Sequence, residues 1–150
     1  MQEVKETFKF PKILAILFVV QFAFFIIYFL NNEEDRTLLL FSIVIFIIGV
    51  ILSFAKFHLY IGNNCISYSL FPFTSKVIQW KDVKNCEINK ISALKDFSGW
   101  GIRYSKKYGW GYIFDSSYAL SVFNTNGRRI TFSIKDKKAI EEIVKKNKLP

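Results

Sequence analysis

At 150 residues the chain cannot enclose two all-apolar helices in a protein core of its own, and its two cysteines, Cys65 and Cys86, match no zinc or redox spacing. The net charge of +9 is concentrated late: from Lys56 onward 17 basic side chains stand against 7 acidic ones. The length thus argues against a soluble protein built around a buried helical hairpin and favours a small basic domain behind apolar segments.

Residues 1–12 read as a cytoplasmic N-terminal segment carrying Lys5, Lys9 and Lys12. Two uncharged apolar runs follow, 13–30 and 38–55. At about 1.5 Å of rise per residue, each spans about 27 Å as a helix, close to the hydrocarbon thickness of a bilayer. The first run gains about 4–8 kcal/mol on insertion when its large apolar residues are summed. Its length and the sequence after it, Asn31-Asn32-Glu33-Glu34-Asp35, argue against a cleaved signal peptide, which would end at small residues.

The short acidic connector, 31–37, predicts an antiparallel hairpin. Lysines flank the outer ends of the two runs, so the positive-inside bias predicts an integral cell-membrane protein with both termini cytoplasmic. Cys65 and Cys86 would then stay reduced and act as small core residues. Ala15, Ala23, Ser42, Gly49 and Ser53 offer seams at which a further helix could pack closely.

From Phe57 the apolar period becomes two. Strands are predicted near 57–61, 64–71, 75–80, 84–91, 101–104, 111–124 with a break, and 128–134, each half-buried. Gly62-Asn63-Asn64 and Asn126-Gly127 supply residues that tolerate positive φ, and the second pair predicts a type I′ hairpin. After Asp136, an N-cap, Ile140, Ile143 and Val144 recur at helical spacing, with Glu141–Lys145 and Glu142–Lys146 as i,i+4 pairs. The fold class predicted is a transmembrane helical hairpin followed, over 56–150, by an α+β, mainly antiparallel β, barrel or sandwich with a C-terminal helix.

The repeats Gly99-Trp100-Gly101 and Gly109-Trp110-Gly111 lack the third glycine of a dinucleotide site and the Lys-Ser/Thr ending of a P-loop. They predict bends or bulges that let each indole enter the core. His58, Asp82, Glu87, Asp96 and Asp115 are dispersed without catalytic or metal-ligand spacing, so no catalytic residue, cofactor or metal is expected.

Residues 78–83, with Trp80, then Gly99-Trp100-Gly101-Ile102-Arg103, the Asn126-Gly127-Arg128-Arg129 hairpin and the terminal helix together resemble the bacterial pleckstrin-homology-like domains that sit behind membrane spans. The resemblance covers essentially everything after Lys56. It implies a seven-stranded, partly open barrel capped by the C-terminal helix, with Trp80, Gly99, Trp100, Gly101, Ile102 and Arg103 as structural residues. It carries over no phosphoinositide site, because Gly62-Asn63-Asn64, where such a site would lie, contains no Lys or Arg.

The function expected is that of a non-enzymatic, membrane-anchored binding or scaffold module. Its partners are the bilayer, a protein partner and anionic lipid headgroups, reached through Arg103, Lys106, Lys107, Arg128 and Arg129. The alternative is an accessory subunit of a membrane channel, transporter or enzyme that acts through its two spans. Nucleic acid is not the expected partner, because the aromatics beside the basic face, Tyr104, Tyr108 and Trp110, lie on strands, where rings more often pack than stack on bases.

Overall fold

The structure, a computed structural model, describes residues 3–9, 12–31, 36–114 and 116–148. The centre of the acidic connector and Asp115 fall outside the described residues, as do the side chains of residues 12–15, Ala15 among them. The chain forms two compact units. One gathers Lys56–Pro150 with the N-terminal strand, and the other is Lys9–Ala55.

The second unit is a helical hairpin, α1 (Lys12–Asn31) and α2 (Arg36–Phe54). Phe22 stacks on Phe46 with ring centroids 4.2 Å apart. A Cβ at Gly49 would collide with the Phe18 ring, so glycine there lets the helices approach. These pairings run in opposite senses along the chain, which makes the helices antiparallel. Ser42 and Ser53 donate to carbonyls of their own helix, Leu39 and Gly49, both at 2.7 Å. Elsewhere the helices present large apolar side chains outward, among them Leu17, Phe24, Ile27, Phe41, Ile47 and Phe54. Among the described residues, Thr37–Phe54 alone is long and apolar enough to cross a membrane, and the apolar stretch of α1, Ile16–Asn31, is shorter.

The first unit is α+β with mostly antiparallel sheets. Sheet order is β1-β2-β3-β4 in one and β5-β8-β9-β7-β6 in the other. The strands of the first are β1 (Val4–Lys9), β2 (Lys56–Ile61), β3 (Cys65–Phe71) and β4 (Thr74–Gln79). Those of the second are β5 (Val83–Lys90), β6 (Gly101–Ser105), β7 (Gly109–Ile113), β8 (Tyr118–Asn124) and β9 (Arg129–Ile134). The pairs β2–β3, β3–β4, β5–β8, β6–β7 and β8–β9 are antiparallel, and β7 runs parallel to β9.

The barrel expected from the sequence is not formed: the sheets do not close on each other. A single 3₁₀ turn, Trp80–Asp82, carries the chain from β4 into β5 and so from one sheet to the other. The outer strands are β1 and β4 in one sheet and β5 and β6 in the other. Trp80 holds this corner by donating its indole N–H to the Gly62 carbonyl at 2.7 Å.

The N-terminal segment, read from sequence as lying outside the domain, supplies β1. Its burial alternates, with Glu6 and Phe8 inside and Lys5 and Thr7 outside. Phe8 enters an aromatic cluster centred on Phe57, whose ring lies 5.0 Å from Phe114, 5.2 Å from Tyr112 and 6.2 Å from Phe132. Glu6 reaches the far end of the chain, where its carboxylate accepts the N–H groups of Lys135 (2.8 and 2.9 Å) and Asp136 (2.7 Å).

That contact fixes the start of α4 (Lys137–Lys148). Asp136 is the N-cap the sequence predicts, accepting the Ala139 N–H at 3.0 Å, and Ile140, Ile143 and Val144 are buried as expected. Glu141 and Lys145 form the expected ion pair at 3.3 Å.

Three local expectations are corrected. The strands β8 and β9 are buried on both faces, because Ser121, Thr131 and Ser133 find partners inside: Ser121 bonds Thr131, Thr131 donates to the Tyr108 carbonyl, and Ser133 receives the Phe114 N–H. The turn between them is not type I′, since only Gly127 has positive φ; a bond from the Gly127 N–H to the Asn124 carbonyl makes a type I turn followed by a left-handed glycine. No residue of Gly62-Asn63-Asn64 takes positive φ.

Candidate basic and aromatic groove

Both indoles of the Gly-Trp-Gly repeats lie outside the core, against expectation: Trp100 is 47% and Trp110 56% exposed. For Trp110 the reason is strand alternation. Gly111 faces a short helix, α3 (Ala93–Phe97), and a Cβ there would strike the Phe97 ring, so the space an indole would need is already taken. Trp110 therefore points the other way, on the face that Tyr112 shares. The glycines do serve as bends: Gly99, Gly101 and Gly109 all have positive φ, and Gly109 sits against the Arg129 backbone with no room for a side chain.

The Trp110 face forms one wall of an open groove of about 740 Å³. Its basic side chains are Lys76 from β4, Lys106 from the β6–β7 turn, and Arg128 and Arg129 from the β8–β9 hairpin; among the described residues no carboxylate lines it. Tyr104 meets Trp110 edge-on at 5.6 Å and forms an exposed aromatic rim. Arg129 is held over the Phe123 ring at 3.9 Å, and its Nε has no hydrogen-bond partner among the described residues.

Tyr68 and Tyr112 make the floor, with ring centroids 5.0 Å apart. Burial pushes the Tyr68 phenol above its ordinary 10.0, and the neighbouring Tyr112 adds to the rise, while the charge of Arg128 acts in the opposite sense. Burial raises Tyr112 as well, against the hydrogen bond it makes with Tyr68. Both phenols thus hold their protons more firmly than usual, and the proton of one is engaged in the bond between them. Four cations, two buried hydroxyls and two exposed rings suit a ligand that is anionic and partly apolar.

Of the five basic residues proposed from sequence, the groove unites Lys106, Arg128 and Arg129. Arg103 alternates to the opposite face of β6 and donates to the Trp100 carbonyl at 3.0 Å. Lys107 also turns away, lying over the Tyr108 ring at 4.8 Å; a hydrogen bond with Tyr108 raises its pKa. Lys76 and the two floor tyrosines were not foreseen. The register that pairs Tyr68 with Lys76 brings them together, and the alternation in β4 sets Lys76 on the side of buried Ile78.

Other titratable residues have local roles. His58 and Thr7 are hydrogen-bonded at 2.9 Å on neighbouring strands. Asp96 accepts the Ser92 N–H at 2.7 Å at the start of α3. Among the described residues no three His, Cys, Asp or Glu side chains cluster as metal ligands would. Compared with protein-family models and with curated proteins, the chain matches none.

Proposed function

We propose that this chain is a membrane-anchored, non-enzymatic binding module: α1 and α2 cross the bilayer together, both termini stay cytoplasmic, and a pleckstrin-homology-like domain in open, two-sheet form presents its groove to an anionic partner. The observation that carries the reading is topological. β1 and β2 belong to one sheet, yet the two apolar helices lie between them in sequence. The chain leaves the domain and returns to it, so an uneven number of crossings would tear neighbouring strands apart. At about 1.5 Å per residue the 20 residues of α1 measure about 30 Å, long enough to accompany α2 across.

The outward apolar side chains of both helices favour lipid over water. Action through the spans alone has less support, because Gly49 is occupied by Phe18 within the hairpin, and Ser42 and Ser53 are bonded to their own helix. The test is extraction. After an alkaline wash that strips peripheral proteins, the chain is expected to remain with the membrane and to need detergent for release. A chain that is monodisperse without detergent would refute the anchor.

A further inference from the structure

We propose that the groove receives an extended acidic segment of a partner protein, not the headgroups of the membrane that holds the chain; this rests on the tethered-module reading above. The first argument is size: the groove, at about 740 Å³, is far larger than a single phosphate group and has room for several residues.

The second argument is the shape of the opening. Lys76 on β4 and Tyr104 on β6 both line the groove, and each belongs to an outer strand of its sheet. Two outer strands thus contribute to the groove, and their unpaired edges offer both N–H and C=O groups: a phosphate can accept from the first alone, whereas an extended backbone pairs with both. The third argument is chemistry. Lys76, Lys106 and Arg128 are exposed cations that share the groove with the exposed rings of Tyr104 and Trp110, and among the described residues no carboxylate lines it. Acidic side chains interleaved with apolar ones along a strand match that surface.

The full chain in phosphatidylcholine nanodiscs tests this, with a fluorescein-labelled ten-residue peptide of alternating Glu and Leu as the probe. Binding is expected, and the peptide carrying Gln in place of Glu should bind about tenfold more weakly. Reversing Lys106→Glu with Arg128→Glu should weaken the Glu peptide about tenfold or more. Reversing Arg103→Glu with Lys107→Glu makes the same change in net charge on the other face and should alter binding less than about twofold. All four sites are exposed, and equal melting temperatures verify folding. Replacing half the lipid by phosphatidylglycerol should leave peptide affinity nearly unchanged.

Equal losses from the two reversals would overturn the proposal in favour of undirected charge attraction. Displacement of the peptide by phosphatidylglycerol, relieved by Lys106→Glu with Arg128→Glu, would overturn it in favour of a headgroup site. Absence of peptide binding by chain that has entered the discs refutes this inference and leaves the anchor intact. If the chain stays in solution instead, the anchor fails, and the same titration on the free chain still decides the groove.

Discussion

Replacing Glu6 by alanine is expected to cost the folded domain about 3 kcal/mol, although residue 6 lies in a stretch that looks dispensable in sequence. The residue is 7% exposed, and its carboxylate takes two N–H groups at the start of α4, that of Lys135 shared between both oxygens and that of Asp136. Hydrogen bonds to a charged group contribute about 1.5–3 kcal/mol, and leaving buried donors empty adds their desolvation cost. The whole sum is not lost, because water can reach part of the vacated space. Glu6→Gln keeps one acceptor but turns an amide toward the donors, so it should lie between Glu6→Ala and the parent. Lys5→Ala, on the exposed side of the same strand, should stay within about 0.5 kcal/mol. Urea unfolding of the full chain in mild detergent, followed by tryptophan fluorescence, measures all three. A loss below about 0.5 kcal/mol for Glu6→Ala would mean that β1 is not an integral strand.

The second large effect is expected at Phe57. The ring is fully buried and stacks on Tyr112, Phe114 and Phe132, with Phe8 on its flank. Truncating such a residue to alanine costs about 3–5 kcal/mol, made up of lost transfer energy and the cavity left behind. Phe57 also joins the sheets, since it comes from β2 and its neighbours Tyr112 and Phe132 come from β7 and β9. Phe57→Ala should therefore loosen the groove floor and weaken probe binding along with stability. Phe57→Leu, which fills most of the volume, should recover more than half of the loss. Phe71→Ala is the control, because that ring is 63% exposed. Equal melting temperatures for Phe57→Ala and Phe71→Ala would contradict the packing described.

The sequence made the hairpin, the C-terminal helix and most strand positions readable, because each rests on a local pattern. Unbroken apolar runs, period-two alternation and the Asp136 cap all act over a few residues. What it concealed is long-range. In β1, Val4 to Lys9 alternates correctly, but three charged side chains in six residues disguise it, and the partner of Glu6 lies 129 residues away. Ser121, Thr131 and Ser133 looked solvent-facing because a buried hydroxyl differs from an exposed one only through partners that the fold supplies. The groove was legible in part. Clustered charge pointed to Lys106, Arg128 and Arg129, whereas separating Arg103 and Lys107 from them required the register of β6 with β7.

Side-specific thiol labelling decides most directly whether the helices cross as a pair between neighbouring strands. In chain with Cys65→Ser and Cys86→Ala, single cysteines are placed at Lys5, Asn31 or Lys138, all exposed positions. With an impermeant maleimide, Asn31→Cys should label in intact cells, and Lys5→Cys and Lys138→Cys only after permeabilisation. Labelling of Lys5→Cys and Lys138→Cys from opposite sides of the membrane would contradict the account.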